Sequence, residues 1–391
     1  MPSVSSEPAA LPSSIVVERL VEAAFDGPVW LQLDDGRVVA RGSGAPPRPA
    51  EATIELAVPG LFDMHCHGAD GVDFGALATD PAPGLAHHAR LGVTRLVATI
   101  ATMPLPALLD RLRELAPLVH DGTLAGVHLE GPWLSVHRCG AHDPRLLRTP
   151  SPAEVDQALD AAGGTIRMVT LAPELPEALD AVRRLTEAGV TVALGHSQAP
   201  ADIVHAAVDA GARVITHLYN GMPSLHHRDP GLVGVALSDA TLTVEVIADG
   251  EHVADEAIDV VRAAAGGRMA LISDAMAATG LGDGDYLLAG SQVRVQDGVA
   301  RVVTSDGSAG ALAGSTTTVG EAFGRLVRRG VPVVELVRAA TSTPARALGL
   351  SVPQLAIGSP ADLVEITETG VGRVLHRGRW LTTPAAPSLP H

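Results

Sequence analysis

The middle of the chain alternates strand-like and helix-like segments eight times, and this alternation is the strongest constraint on its fold. Each strand-like run is short and apolar, and most are followed by an Ala-rich amphipathic segment. The runs lie at residues 61–67, 95–100, 126–130, 167–171, 191–196, 214–218, 243–248 and 269–273. Strands that alternate with helices in this way form parallel sheets, and eight repeats predict an α/β fold of the (β/α)8 TIM-barrel type. Only 2% of the residues are aromatic, so Ala, Val, Leu and Ile must build the core, which suits strands buried on both faces.

The two ends of the chain are β-rich instead. Residues 29–39 predict two strands around a tight turn, and strand-like runs return at 361–366 and 372–381. Two such ends around a long α/β middle predict one small β-sandwich domain formed from both termini. The small domain is predicted to comprise residues 1–58 and 346–391, and the barrel residues 59–345. Within the barrel we predict a β insertion at 284–304 and the last two helices at 319–329 and 334–341. Residues 1–14 are predicted to form a frayed N-terminal tail.

Charge and residue usage exclude several classes of function. The formal net charge of −16 makes nucleic acid and anionic membrane surfaces unfavourable partners, because like charges repel. All 28 basic residues are arginine, and without lysine the chain has no Schiff-base catalysis, Walker-type phosphate loop or carbamylated-lysine metal ligand. Two cysteines cannot form a disulfide framework, and no segment has the pattern of a membrane helix or a signal peptide. We therefore expect a cytoplasmic protein without membrane or nucleic-acid partners.

Histidines and carboxylates follow the predicted barrel strands at the end where barrel enzymes carry their functional residues. Side-chain alternation points His65 and His67 to the same face of their strand, so the two imidazoles can share a metal. The other candidates at strand ends are Glu130, His196, His217, Asp249 with His252, and Asp274. A buried, unpaired carboxylate is costly, and a metal compensates that cost. The clustering therefore indicates a metal site at the mouth of the barrel.

Each of these residues also has a plainer interpretation. A lone histidine is more often a hydrogen-bonded core residue, but His196 and His217 occupy equivalent places on adjacent strands, which favours ligands. Asp274 either caps a helical turn after its strand or acts as a general base. His128 points away from the mouth, or it lies two residues deeper on the face of Glu130. The residues alone leave the last two alternatives open.

Six strings in the chain resemble those of the N-acetylglucosamine-6-phosphate deacetylases, a branch of the amidohydrolase superfamily. They are PGLFDMHCHG at 59–68, HLEGPW at 128–133, GHS at 195–197, THLYNGM at 216–222, IADGEH at 247–252 and LAGS at 312–315. The resemblance runs from about residue 55 to the C-terminus. It implies a hydrolase of a linear amide that converts N-acetylglucosamine 6-phosphate to glucosamine 6-phosphate and acetate in amino-sugar catabolism.

The resemblance also implies a set of metal ligands. Glu130, His196 and His217 would hold the metal common to the family, and His65 and His67 would complete a second site with Glu130 bridging. Some family members replace the paired histidines with amide residues and work with one metal. We therefore expect one or two divalent ions per subunit, and Zn, Fe, Mn and Co all suit imidazole and carboxylate donors.

The remaining implied roles concern catalysis and substrate binding. Metal lowers the pKa of its bound water, Asp274 would take the proton of that water and return it to the amine, and His142 would polarise the acetyl oxygen. The residues implied in substrate binding are Ala141, His142, Asn220, Gly221, Arg228, His252, Leu312, Ala313 and Gly314. In the family, the arginine at position 228 reaches the phosphate in the neighbouring subunit's site, which implies a homodimer.

Rival functions can be separated by particular residues. Cyclic-amide hydrolases on this barrel commonly use a carbamylated lysine, which this chain lacks. A sugar-phosphate-binding protein that had lost catalysis would be expected to lack Asp274 or Glu130, and both are present. The choice between N-acetylglucosamine and N-acetylgalactosamine 6-phosphates depends on contacts to one hydroxyl group and is not resolved by sequence.

Overall fold

The computed structural model describes residues 12–381. Residues 1–11, which make up most of the predicted N-terminal tail, lie outside this range, and so do residues 382–391. None of the helices in the described range is both long and apolar enough to cross a lipid bilayer.

Strands and helices alternate through most of the described range. The strands are β1 (Ser14–Glu22), β2 (Phe25–Asp34), β3 (Arg37–Gly42), β4 (Ala52–Pro59), β5 (Leu61–Cys66), β6 (Gly68–Ala69), β7 (Val72–Asp73), β8 (Val93–Ala101), β9 (Gly126–Glu130), β10 (Ile166–Leu171), β11 (Thr191–Leu194), β12 (Val214–Ile215), β13 (Thr243–Ile247), β14 (Met269–Ile272), β15 (Gly284–Leu288), β16 (Ser291–Gln296), β17 (Val299–Val303), β18 (Ala309–Leu312), β19 (Leu363–Thr367), β20 (Gly370–His376) and β21 (Arg379–Leu381). The α-helices are α1 (Ala82–Arg90), α2 (Leu105–His120), α3 (Pro152–Ala162), α4 (Ala178–Glu187), α5 (Ala201–Ala210), α6 (Gly231–Ser238), α7 (Asp255–Ala265), α8 (Val319–Arg328), α9 (Val333–Val337) and α10 (Thr343–Ala347).

The barrel consists of eight parallel strands in the order β14-β13-β12-β11-β10-β9-β8-β5. All eight predicted strands are confirmed. Several end earlier than predicted, and β12 stops at Ile215 instead of residue 218. The reason is local: His196, His217 and Asp274 each have a positive φ, which a β-strand does not tolerate.

Contacts between β5 and β14 close the barrel, and we call this junction the seam. The Asp63 carboxylate on β5 accepts hydrogen bonds from the backbone N–H and the hydroxyl of Ser273, just past β14. Further along, the Asp274 N–H donates to the His65 carbonyl at 2.9 Å, and the His67 N–H donates to the Ala275 carbonyl at 2.8 Å. The seam therefore joins the first and last barrel strands directly beneath and beside the predicted site.

Both ends of the chain enter one seven-stranded sheet in the order β21-β20-β19-β4-β1-β2-β3. Strand β4 lies at its centre, parallel to β1 and antiparallel to β19. The sheet has its own apolar cluster, which includes Ile15, Val17, Leu31, Leu363 and Leu375. The two termini thus meet as expected, while the exact domain limits stay a prediction.

The β insertion is a four-stranded antiparallel sheet, β15-β16-β17-β18. Its first three strands lie where the sequence pattern predicts strands, but β18 was not predicted. The segment Ala309–Leu312 contains only Ala, Gly and Leu, so it lacks β-branched residues, and pairing with β17 supplies the strand geometry. Leu288 of this sheet lies on the wall of the predicted site.

The last helical segment departs from the sequence prediction. Helix α9 ends at Val337, and a π-helical turn at Arg338–Ser342 leads into α10. Pro344 cannot donate a backbone hydrogen bond, and the hydroxyls of Thr341 and Ser342 donate to carbonyls four residues back. Residues 338–342 therefore form a π-helical turn, and the regular α-helix predicted for 334–341 is found only as far as Val337. By contrast, the last predicted helix before it, at 319–329, is found as α8.

Candidate active site

A cavity of about 470 Å³ opens at the C-terminal ends of the barrel strands. Most of the predicted site residues line it, namely His67, Glu130, Ala141, His142, His196, His217, Asn220, Gly221, His252, Asp274, Leu312, Ala313 and Gly314. His65 has a fully buried side chain and is not one of the lining residues. Arg228 is exposed and is not among the described residues that line the cavity.

Glu130, the last residue of β9, lies at the centre of the site, and its carboxylate lies within 3.2 Å of four imidazoles. Its Oε1 lies 3.1 Å from Nε2 of His196 and 3.1 Å from Nε2 of His217. Its Oε2 lies 3.2 Å from Nε2 of both His67 and His142. Burial opposes ionisation, but the surrounding imidazoles hold the pKa of Glu130 well below its usual value. The carboxylate is therefore charged and shared.

Glu130, His196 and His217 present three donor atoms to one point. The Nε2 atoms of His196 and His217 are only 3.0 Å apart. Nδ1 of His196 donates to the Arg138 carbonyl at 2.7 Å, so in the neutral ring its Nε2 carries a lone pair. Donors bound tetrahedrally at about 2.0–2.1 Å from a metal lie about 3.3 Å apart. The observed spacing of 3.0–3.1 Å is close to that value, and the donor set fits a divalent metal.

A second group of donors lies on the other side of Glu130. Nε2 of His67 is 3.1 Å from Oδ1 of Asp274, and Nε2 of His65 is 3.5 Å from Oδ1 of Asp274 and from Oε1 of Glu130. Nε2 of His65 is buried and has no hydrogen-bond partner among residues 12–381. Its other nitrogen, Nδ1, lies 3.0 Å from the carboxylate of Glu245 and can donate to it. This leaves the Nε2 lone pair directed at the site, as in a metal-binding histidine.

The electrostatics of these groups favour a cation. Burial by itself lowers the pKa of an imidazole, but nearby carboxylates raise the pKa of His65 and of His196 and bring that of His67 to about 9. Fully buried imidazoles hold protons this tightly only in a strongly negative potential. A divalent ion would satisfy the same potential.

His142 differs from the other imidazoles in the hydrogen bond at its Nδ1. The backbone N–H of Thr102 donates to this nitrogen at 3.2 Å, so in the neutral ring Nε2 carries the proton. Burial is the main cause that lowers the pKa of His142, which favours the neutral ring. An Nε2–H group is a hydrogen-bond donor and cannot ligate a metal. His142 therefore suits donation to a substrate oxygen, as the resemblance implies.

Asp274 has two sequence interpretations, a helix cap and a general base. Its carboxylate contacts the imidazoles of His65 and His67 at 3.5 and 3.1 Å. The next α-helix among the described residues, α8, begins only at Val319. The side chain thus lies in the cavity next to the donor groups, a position that is consistent with the general-base prediction.

The comparison with known protein families identifies the family to which this fold belongs. The profile described as the Amidohydrolase family matches residues 56–369, which is most of the chain. The chain belongs to the amidohydrolase family.

Individual relatives place it more narrowly among amidohydrolases. It is 41% identical over 318 residues to the N-acetylglucosamine-6-phosphate deacetylase of Vibrio furnissii, covering 79% of this chain and 78% of that one. It is 40% identical over 326 residues to the N-acetylgalactosamine-6-phosphate deacetylase of Escherichia coli O157:H7, covering 82% and 85%. The structure of a variant N-acetyl-D-glucosamine-6-phosphate deacetylase from Mycobacterium smegmatis, in complex with N-acetyl-D-glucosamine-6-phosphate, is similar with a TM-score of 0.89 and 42% identity over 95% of this chain and 99% of that one. The resemblance read from the motifs is thereby confirmed.

In this amidohydrolase, three site residues have strained backbones. His196, His217 and Asp274 have φ angles of 46°, 25° and 50°, and each lies two residues past the end of its strand. A left-handed conformation costs a non-glycine residue about 1–2 kcal/mol. The fold accepts this cost at three places, and each bend directs a side chain into the cavity.

Two glycines make room for the ring of His196. A Cβ atom at Gly140 would lie 3.0 Å from Cε1 of this ring, and one at Gly221 would lie 3.1 Å from its Nδ1. Both glycines also have positive φ, which favours glycine. Side chains at these positions would crowd the imidazole ring.

Glu245 in β13 is a site-associated residue that the sequence interpretation missed. It is fully buried, and its Oε2 accepts hydrogen bonds from the Thr216 hydroxyl at 2.7 Å and the His217 N–H at 3.3 Å, besides facing Nδ1 of His65. The available signal was a lone carboxylate inside an otherwise apolar strand, TVEVI. His128, left open above, also lies in the interior, stacked edge-on to His65 with ring centroids 4.5 Å apart.

The residues expected to bind substrate are only partly brought together. Asn220, Gly221, His252 and the 312–314 turn share the cavity wall. Arg228 lies on an exposed loop, and its Nη1 contacts Nε2 of the adjacent His227 at 2.8 Å. A single chain of this amidohydrolase therefore does not bring Arg228 to its own cavity.

Proposed function

We propose that this amidohydrolase removes the acetyl group of N-acetylglucosamine 6-phosphate, yielding glucosamine 6-phosphate and acetate. The observation that carries the proposal is the Glu130 carboxylate shared among four histidines, with Asp274 beside them in an open cavity. The likeness to deacetylases of acetylated amino-sugar phosphates supports the choice of substrate class.

The donor groups would hold one or two divalent metal ions. Glu130, His196 and His217 would hold the first, and His65 and His67 would hold the second with Glu130 as the shared ligand. A bound divalent metal lowers the pKa of water to about 7 and polarises a carbonyl group, which supplies the nucleophile and the electrophile for amide hydrolysis. Zn, Fe, Mn and Co all suit these ligands.

The chain's own residues would then move protons and orient the acetamide. Asp274 takes a proton from the attacking water and returns it to the departing amine nitrogen, a role that contributes about 10²–10⁴-fold. The Nε2–H of His142 donates to the acetyl oxygen, and the Thr102 N–H keeps the ring in the tautomer that allows this donation.

The wall formed by Ala141, Asn220, Gly221, His252 and the 312–314 turn would bind the sugar phosphate. Arg228 would reach the phosphate in the partner subunit's cavity within a homodimer. Arg228 is exposed and is not among the described residues that line its own cavity, and both observations support this arrangement. The cytoplasmic location likewise stays a prediction.

The experiment is a deacetylation assay with the unaltered protein and the variant Asp274→Asn. We expect the variant to keep its metal content by elemental analysis while turnover falls by about 10²–10⁴-fold. The matched control is Asp285→Asn, because Asp285 is exposed and paired with Arg294 on the outer insertion. Near-normal turnover by Asp274→Asn would remove Asp274 from the mechanism.

The same assay decides between two sugars. N-Acetylgalactosamine 6-phosphate is the second candidate substrate, because a deacetylase of that compound is 40% identical to this chain. Both phosphates should be compared with their unphosphorylated sugars. Binding of both phosphates without release of acetate from either would favour a non-catalytic binding protein instead.

A further inference from the structure

His252 has an unusual pair of hydrogen bonds. It follows β13, and both of its ring nitrogens face acceptor oxygens. Nδ1 lies 2.6 Å from Oδ2 of Asp249, and Nε2 lies 2.9 Å from the carbonyl oxygen of Ala313. A carbonyl oxygen can only accept, and an ionised carboxylate can only accept. Both nitrogens must therefore carry protons, which makes the ring an imidazolium cation.

Asp249 is held as the charged partner of this ring. Its Oδ1 accepts from the N–H groups of Glu251 and His252, both at 2.9 Å, and its Oδ2 accepts from the Ser315 hydroxyl at 3.1 Å. Burial opposes ionisation, but His252 and these donors bring the pKa of Asp249 to about 2. The side chains of Asp249 and His252 are each only 6% exposed, so solvent screens the pair weakly.

The surroundings of the Asp249–His252 pair carry several negative charges. The protein has a net charge of −16, and the carboxylates of Glu130 and Asp274 line the same cavity as His252. Asp274 also favours the protonated ring of His252 through space. Arg138 also lines this cavity, whereas the guanidinium of Arg325, beside Gly250, is paired with Asp255. A phosphate dianion entering this cavity thus meets two carboxylates, and a cation at His252 would offset part of their negative charge.

We propose that Asp249 is a positioning residue that keeps His252 doubly protonated, so that the cavity wall carries a permanent positive charge for the phosphate group of the substrate. The inference rests on the proposed function for the identity of that substrate. Asp249 would not contact the substrate itself and would act on substrate binding through His252.

The sign of the pH dependence follows from the ordinary pKa of histidine, about 6.5. Burial lowers the pKa of His252, but the hydrogen bond and the charge of Asp249 raise it above that value, so the cation persists to a higher pH than in a free imidazole. Without the carboxylate, the ring loses a proton as the pH rises above its ordinary pKa. Removing Asp249 should therefore do little at pH 6 and weaken phosphate binding at pH 8.

The test is the variant Asp249→Asn, which keeps an acceptor oxygen for Nδ1–H but removes the charge. We expect KM for N-acetylglucosamine 6-phosphate to rise about tenfold at pH 8 and less than threefold at pH 6. The kcat/KM for unphosphorylated N-acetylglucosamine should stay unchanged at both values. The matched control is Glu251→Gln, which removes a charge two residues away from an exposed side chain.

A second measurement is independent of activity. Nitrogen-15 NMR of the zinc-loaded protein at pH 7.5 should show both ring nitrogens of His252 protonated, with the signals assigned by their loss in His252→Gln. In Asp249→Asn one of the two should be unprotonated. A singly protonated His252 ring in the unaltered protein would overturn the inference, and so would equal losses on phosphorylated and unphosphorylated sugar.

The two proposals fail in different ways. If no acetylated amino-sugar phosphate is hydrolysed, the proposed function is wrong, and the protonation state of His252 still tests the geometry. If hydrolysis is found but KM of Asp249→Asn equals that of the unaltered protein at pH 8, the function stands and the role of Asp249 is refuted.

Discussion

The substitution Glu245→Gln tests how the barrel interior prepares the proposed second metal site. Glu245 is not among the described residues that line the cavity. Its carboxylate accepts from Nδ1 of His65 at 3.0 Å, from the Thr216 hydroxyl at 2.7 Å and from the His217 N–H at 3.3 Å. Glutamine has nearly the same shape but no charge, and half of its end group donates instead of accepting.

The magnitude can be worked from these contacts. A hydrogen bond to a charged group contributes about 1.5–3 kcal/mol, and a neutral one about 0.5–1.5 kcal/mol, so His65 loses about 1–1.5 kcal/mol of preference for the tautomer with a free Nε2. Losing the partner of a metal-binding histidine typically costs 10–100-fold in metal affinity. We therefore expect the metal equivalent at His65 and His67 to lose affinity by about tenfold, at the low end of that range, while the equivalent at Glu130, His196 and His217 changes less.

The assay is metal titration of the chelator-treated protein against a competing indicator, with the number of equivalents per subunit as a second readout. The double variant His65→Asn with His67→Asn supplies the limiting case, in which one equivalent should be absent altogether. Glu22→Gln is the matched control, because it neutralises another buried carboxylate, paired with Arg41 in the terminal sheet. It should lower stability without changing metal binding.

One result would refute the reasoning. If Glu245→Gln binds both equivalents with the affinity of the unaltered protein, the hydrogen bond to His65 does not set the direction of its lone pair. A loss matched by Glu22→Gln would contradict it as well, since the effect would then follow from general destabilisation.

Two further predictions concern the subunit interface and the seam. In the variant Arg228→Ala, KM for the phosphorylated substrate should rise far more than KM for the unphosphorylated sugar. Mixing subunits of this variant with subunits of Asp274→Asn should restore activity, because one site of the mixed dimer then has both residues. If activity is not restored, Arg228 acts in its own subunit's site. Burial raises the pKa of the Asp63 carboxyl group to about 7, so the folded protein binds the carboxyl proton more tightly than the unfolded chain does. The free energy of unfolding should therefore fall as the pH rises from about 4 to about 7. Urea unfolding at pH 5 and pH 7.5 should show that this fall is smaller in Asp63→Asn, and identical pH dependence in the two proteins would contradict it.

The sequence predicted the barrel well because hydrophobic periodicity is a local property of each segment. It also located Glu130, His196 and Asp274, since parallel strands bring their C-terminal ends to one place whatever the loops do. Glu245 was missed because its importance depends on His65, which lies 180 residues away in the chain. Strand β18 was missed because its residues have little intrinsic preference for a strand and depend on β17 for pairing.

The tautomers of the site histidines likewise could not be predicted from the sequence. Thr102 acts on His142 through a backbone N–H, and Arg138 acts on His196 through a carbonyl oxygen. Every residue type offers these backbone groups, so no side-chain pattern marks them. Sequence motifs could therefore name the imidazoles but not which nitrogen of each faces the cavity.

The seam between β5 and β14 has a consequence for synthesis of the protein. Asp63 and Ser273 lie 210 residues apart in the chain, and Asp274 is tied by its N–H to the carbonyl of His65. A nascent chain that stops short of residue 273 already contains all five proposed metal-binding residues, but nothing yet joins its first strand to its last. His65 and His67 meet Asp274 only when the final strand is in place, so acquisition of an ion at the proposed second site would report that the barrel has been completed.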